Sequence, residues 1–230
     1  MSDLHYAQLL LAPARIGDPY ALHQCLWKAF AGSAEERPFL HRADRVQAPE
    51  GPRLKVLVQS VIPGDWTALG ATVIERKEVA RTPTFTAGER RRFLLRANVT
   101  ASRKGQHEFA GLDREAFRAA RGKRVAVWDP AGIEEWIVRK LDAAGARIPT
   151  ETLRNDLDEP VEQRAVRHSN ARPWRWTRTD NPARHDGVDF EGVLEVVDPT
   201  RLRESLVHGI GPAKAFGFGL LSLAPVLATP

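Results

Sequence analysis

The feature that most constrains this chain is the order in which its apolar runs alternate with its turn residues. The segment "LHYAQLLLAPA" reads as a strand. After it, "DPYALHQCLWKAFAG" reads as a helix with Asp18 at the N-cap, Pro19 in the first turn and Gly32 beyond the end. Two strands follow in "RPFLHRADRV" and "PRLKVLVQSV", then a short helical turn in "GDWTAL" and a further strand in "GATVIERKEV". The sum is β-α-β-β-α-β, the ferredoxin-like order in which helices cover one face of an antiparallel sheet.

After the turn-rich "ARTPTFTAGE" the order begins again. "RRFLLRANVTAS" reads as a strand, "DPAGIEEWIVRKLDAAGA" as a helix, "VEQRAVRHS" and "FEGVLEVVD" as strands, "PTRLRESLVHG" as a helix and "GLLSLAP" as the last strand. The expected fold class is therefore α+β, with tandem ferredoxin-like (RRM-like) βαββαβ domains over residues 1–85 and 88–230.

Composition excludes several classes. Hydrophobic residues make up 43% of the 230, enough for ordinary cores, and no run of 18 or more apolar residues exists to span a membrane. The first residues lack the basic region of a secretory signal. Cys25 is the single cysteine, which rules out an intrachain disulfide and a cysteine-based zinc site and agrees with a cytoplasmic location. The formal net charge is +5, carried mostly by arginine, whose planar fork suits phosphates and base edges; an anionic partner is expected.

On a helical wheel Leu22, Cys25, Leu26 and Ala29 fall on one side of the first helix, and Tyr20, His23, Gln24, Trp27 and Lys28 on the other. The first set is core. The second gathers a phenol, an imidazole, an indole and an ammonium on one face. A histidine moves protons near neutrality, a lysine stabilises charge developing on phosphorane oxygens, and a tyrosine orients the nucleophile or shares the proton transfer. Tyr20, His23 and Lys28 thus suit attack of an RNA 2′-hydroxyl on its own adjacent phosphate. That reaction needs alignment and proton removal, with no metal or cofactor, and leaves a 2′,3′-cyclic phosphate, or its hydrolysis product, and a 5′-hydroxyl. The other histidines, His41 among them, carry no comparable signal.

The stretch "QRAVRHSNARPWRWTRTDNPAR" carries Arg164, Arg167, Arg172, Arg175, Arg178 and Arg184, with Trp174 and Trp176 between them. Arginines contact phosphates and base edges, and indoles stack on bases; a twisted hairpin with buried tryptophans and solvated arginines would present the same positive face. "RKGQH" and "REAFRAARGKR" form a second basic group. "HDGVDFEG" offers His185, Asp186, Asp189 and Glu191, but their offsets match no strong metal template and read as a turn and an edge strand.

Near the end, "GIGPAKAFGFGLLSL" resembles a nucleotide phosphate loop only superficially. Lys214 is followed by Ala215 rather than Ser or Thr, and the loop leaves a helix and enters a strand, the reverse of a P-loop. Gly209, Gly211, Gly217 and Gly219 are expected to let backbone approach an RNA phosphodiester, with Lys214 as a point charge.

Together, "YALHQCLWKAF", "RANVTASRKG" with "KRVAVWDPAGIEEWI", and "GIGPAKAFGFGLLSLAP" resemble the CasE family of CRISPR repeat-cleaving endoribonucleases across nearly the whole chain. The resemblance implies tandem ferredoxin-like domains and metal-independent cleavage of the CRISPR precursor transcript at the 3′ base of the repeat hairpin. It also implies retention of the crRNA as one subunit among the other Cascade proteins. The family's catalytic histidine matches His23, its tyrosine Tyr20 and its lysine Lys28, and its stem-gripping hairpin matches the arginine-rich stretch by position. A noncatalytic RNA-binding module of a ribonucleoprotein is the alternative reading of the same residues.

Overall fold

The structure, a computed structural model, describes residues 3–13, 16–35, 37–102, 124–154, 156–170, 174–178, 181–185 and 187–226. The first half runs β1 (Leu4–Leu11), α1 (Pro19–Trp27), β2 (Phe39–Ala48), β3 (Gly51–Ser60) and β4 (Val73–Arg81). The second runs β5 (Arg90–Asn98), β6 (Thr100–Ser102), β7 (Arg124–Ala126), α2 (Pro130–Ala143), β8 (Ala146–Arg147) and β9 (Thr150–Arg154). It continues through β10 (Pro160–Arg164), β11 (Val166–Asn170), β12 (Trp174–Arg178), β13 (Asn181–His185), β14 (Gly187–Val196), α3 (Pro199–His208) and β15 (Leu221–Pro225).

An Asp-Pro pair starts each of the three α-helices among the described residues. The aspartate accepts orphan N–H groups of the first turn, and the proline occupies a position that needs no N–H. Asp18 accepts from Ala21 at 2.8 Å, Asp129 from Gly132 at 2.6 Å, and Asp198 from Thr200 and Arg201 at 3.0 and 3.1 Å. Among the described residues, no helix is long and apolar enough to cross a membrane.

Both halves pair their strands in the ferredoxin-like order. The first sheet is β2-β3-β1-β4 and the second β11-β14-β5-β15, so in each the first and third strands of the unit lie side by side in the centre. Register aligns the inward residues: Leu9 stands opposite Val56, and Leu95 between Phe190 and Leu221. Two apolar cores result, one holding Leu9, Leu22, Leu26, Val56 and Trp66, the other Leu95, Ile137, Phe190, Leu202 and Leu206.

Two elements differ in detail from the sequence expectation. "GDWTAL" forms a 3-10 turn over Trp66–Thr72, capped by Asp65, and fills the second helix position with Trp66 packed edge-on against Phe30 at 5.6 Å. "VEQRAVRHS" divides at Ala165 into β10, which pairs with β9, and β11, which joins the main sheet. Gly192 makes this division possible, because a Cβ there would lie 2.1 Å from the Ala165 carbonyl oxygen.

The halves are stitched together across one seam. Gln59 donates to the Leu206 carbonyl at 2.5 Å, and Arg42 donates to Ser222 Oγ at 3.1 Å. Arg96, on β5, reaches the Ala43 carbonyl and the Asp44 carboxylate of β2, each at 2.8 Å. This seam brings the face of α1 against the glycine-rich loop.

Candidate active site

Leu22 and Leu26 pin α1 to its sheet, and that anchoring turns His23 toward β2. The His23 ring lies 5.4 Å from Phe39 and 5.9 Å from His41, nearly parallel to the latter at 22°. One turn on, the Trp27 indole N–H donates to His23 Nε2 at 2.9 Å. Nδ1 is buried and has no hydrogen-bond partner among the described residues. Burial, and after it the Arg37 guanidinium, press the His23 imidazole below its ordinary value. The ring is therefore neutral near pH 7, the state from which it takes up a proton.

Tyr20 and Lys28 flank it in the sequence of the same helical segment. Tyr20 is 40% exposed at the start of the helix. Lys28 opens the 3-10 turn Lys28–Phe30 and is exposed; its charge acts on the Cys25 thiol, lowering a value that burial raises. The cation that acts on His23 is Arg37, which the sequence reading did not single out. The signal was present in "RPFLH", where Arg37, Phe39 and His41 recur at the spacing that puts side chains on one side of an extended chain.

His41 is 1% exposed, and neither ring nitrogen has a hydrogen-bond partner among the described residues. Burial presses it down to about 3, with the charge of His23 contributing in the same direction. Its folded-state value lies below the unfolded one, so the unfolded chain takes the extra proton, and stability falls as pH drops from about 6.5 toward 3. Urea denaturation at pH 7 and pH 5 should show a loss of about 2 kcal/mol on acidification. Most of that loss should vanish in His41→Phe; an equal loss in both proteins would place the acid sensitivity elsewhere.

The glycine-rich loop reaches this site through the 3-10 turn Lys214–Phe216, which packs against α1 and β2. Gly209, Gly211, Gly217 and Gly219 all have positive φ, between 69° and 87°. Gly217 and Gly219 are buried, and the N–H groups of Gly209, Gly217 and Gly219 donate to the carbonyls of Ser205, Lys214 and Arg96. A Cβ on Gly219 would lie 2.7 Å from the Ile210 carbonyl oxygen, and one on Gly217 would lie 3.5 Å from His41 Nε2. Gly219 has no room for a side chain, and at Gly217 it is the positive φ that favours glycine. Phe218, 2% exposed, anchors it. Gly211 and Lys214 sit on its partly exposed side.

The arginine-rich stretch is spread over several strands. Arg164 is on β10 and pairs with Glu134 at 2.6 Å; Arg167 is on β11. Both line a groove of about 730 Å³, which also takes in Arg42 and Arg92. Arg175, with Trp174, Trp176 and Arg178, belongs to β12, and Arg184 to β13, its partner in a hairpin. Their side chains lie outside the described residues, as do Arg172 and the basic group at 103–123. In "HDGVDFEG", Asp189 receives both Arg96 Nε at 2.7 Å and a second guanidinium nitrogen at 2.9 Å, so it serves as an ion-pair partner. Glu191 stands opposite Arg167; Asp186 and the His185 side chain lie outside the described residues.

Comparison with known proteins agrees with this architecture. Residues 5–225 match the family model described as CRISPR associated protein. The chain is 34% identical over 229 residues to the CRISPR-associated endoribonuclease Cse3 of Thermus thermophilus, covering 95% of this chain and 98% of the relative. It is 32% identical over 228 residues to the CRISPR system Cascade subunit CasE of Escherichia coli, covering 97% and 100%. The structure of Thermus thermophilus Cse3 bound to an RNA representing a pre-cleavage complex superposes with a TM-score of 0.72 at 30% identity, covering 97% of this chain and all of that one. The chain belongs to the CRISPR-associated protein family and, within it, to the endoribonuclease group that contains Cse3.

Proposed function

We propose that this endoribonuclease binds the hairpin of the CRISPR repeat, cuts the precursor transcript at the 3′ base of that hairpin without a metal ion, and stays on the product as a Cascade subunit. In support, one relative, Cse3, is named as a CRISPR-associated endoribonuclease and is seen bound to an RNA representing a pre-cleavage complex, and another, CasE, is named as a Cascade subunit. The observation that carries the chemistry is a half-buried His23 whose Nε2 accepts the Trp27 N–H, in a setting that lowers its pKa, on the helix where Tyr20 is exposed.

The reaction follows from those groups. His23 exchanges a proton with the reacting oxygens, Tyr20 orients the 2′-hydroxyl or shares the transfer, and the cations of the helix face oppose the charge growing on the phosphorane. Because the nucleophile is a neighbour of the phosphate it attacks, holding the nucleotide in line supplies much of the acceleration. Residues 1–85 form the domain with the catalytic helix. Residues 88–230 form the domain that grips the RNA through Arg167, Arg175, Arg178 and Lys214, with Arg164 and Arg172 nearby in sequence.

The test is cleavage, in EDTA, of an RNA carrying the CRISPR repeat of the source genome. The expected result is cleavage that yields a 2′,3′-cyclic or terminal phosphate and ceases when the nucleotide before the cut is 2′-deoxy. Equal cutting of the 2′-deoxy RNA would overturn the nucleophile, and tight binding without any cutting would leave the noncatalytic RNA-binding reading.

A further inference from the structure

Trp27 has no role in the chemistry above, yet it makes a direct hydrogen bond to the proposed catalytic ring. An indole N–H only donates, so the His23 Nε2 it meets at 2.9 Å must carry a lone pair. In the neutral imidazole the proton then sits on Nδ1. Nδ1 is sealed from solvent, which leaves Nε2 as the nitrogen a substrate reaches. A nitrogen without a proton accepts before it donates.

We propose that Trp27 is a positioning residue that presents His23 to RNA as a base: its indole keeps Nε2 unprotonated in the free protein, and the substrate 2′-hydroxyl takes the indole's place. This rests on the cleavage reading given above. The 2′-hydroxyl proton passes to Nε2 as the O2′–P bond forms and the P–O5′ bond breaks. The departing 5′-oxygen takes a proton from water, and the proton on Nε2 returns to the hydroxide so formed, which restores His23 and water. The helix sets the reach of the contact, since Trp27 lies four residues on from His23, and Phe39 braces the indole edge-on at 5.6 Å. Arg37 and His41 also face the ring, and Lys214 is on the turn packed against α1; a change confined to Trp27 leaves all three in place.

The test compares single-turnover cleavage of the repeat RNA at subsaturating protein, where the pH profile reports groups of the free enzyme, by wild type, Trp27→Phe and His23→Ala from about pH 5 to about pH 9. For the wild type, the rate should fall on the acid side as Nε2 becomes protonated. Losing the indole N–H removes a stabiliser of the unprotonated nitrogen, so in Trp27→Phe that acid limb should move up by about half to one pH unit. An unmoved limb, or a wild-type rate that falls only on the basic side, overturns the proposal. Nitrogen NMR of histidine-labelled wild-type protein, with His23→Ala for assignment, should show Nε2 unprotonated and Nδ1 protonated near pH 7; the opposite tautomer overturns the proposal without any Trp27 variant. If His23→Ala cleaves as fast as wild type, the cleavage reading itself fails. If His23→Ala is inactive while the Trp27→Phe limb stays put, only the role of Trp27 fails.

Discussion

His23→Ala is expected to slow single-turnover cleavage of the repeat RNA by about 10²–10⁴-fold, the range supplied by a positioned general acid or base. RNA affinity should change little, because the cations assigned to binding lie elsewhere. The alanine removes the acceptor of the Trp27 N–H and ring contacts to Phe39 and His41, so a modest loss of stability is expected as well. Folding and catalysis are separated by measuring the rate with RNA saturating and the protein folded, well below its melting temperature. Lys28→Ala provides the comparison: Lys28 is exposed and acts on Cys25, so it should cost less than His23→Ala. A His23→Ala protein within a few-fold of wild type would remove His23 from the reaction.

Arg96→Ala is expected to destabilise the protein by about 2–4 kcal/mol, close to the cost of breaking a buried ion pair but reduced because the site is partly exposed. The guanidinium side chain is 15% exposed and forks onto both oxygens of Asp189, while also reaching Ala43 and Asp44 on the other sheet. Truncation takes from the Asp189 carboxylate and the Ala43 carbonyl the guanidinium that bonds them at the seam. Arg96→Lys should recover only part of the loss, since one ammonium cannot repeat the fork. The backbone carbonyl of Arg96 also receives the Gly219 N–H, so the same residue ties the glycine-rich loop to β5. Cleavage should therefore decline along with stability, as the loop shifts against α1. Urea denaturation and single-turnover rates on one preparation check both; a stability change under about 0.5 kcal/mol would show that the halves are held by other contacts.

Much of the fold could be read from local chemistry. Asp18-Pro19 announces a helix because the cap and the missing N–H act within a few residues, and Asp129-Pro130 and Asp198-Pro199 repeat the device. Alternation in "PRLKVLVQS" marks Leu54, Val56 and Val58 as inward, as found. The break at Ala165 was not legible, because it depends on Gly192 approaching from another strand. At the site, the wheel placed His23 and Trp27 on one face, but their hydrogen bond depends on rotamers that β2 selects through Phe39 and His41.

The residues around His23 mark the limit most clearly. By itself the sequence determined the two βαββαβ units, the helix that carries His23, and a positively charged chain able to meet RNA, because caps, periodicity and residue chemistry operate over a few positions. Only the tertiary structure decided which groups surround the imidazole. His41 comes from β2 and Arg37 from the segment just before it, and the glycine-rich loop arrives from the far end of the chain once Arg96 and Gln59 have joined the two sheets. Two of the loop glycines, Gly209 and Gly219, meet a packing requirement as well, because backbone passes within 3 Å of where a Cβ would stand on either. Such requirements arise between segments distant in the chain, where no local pattern records them.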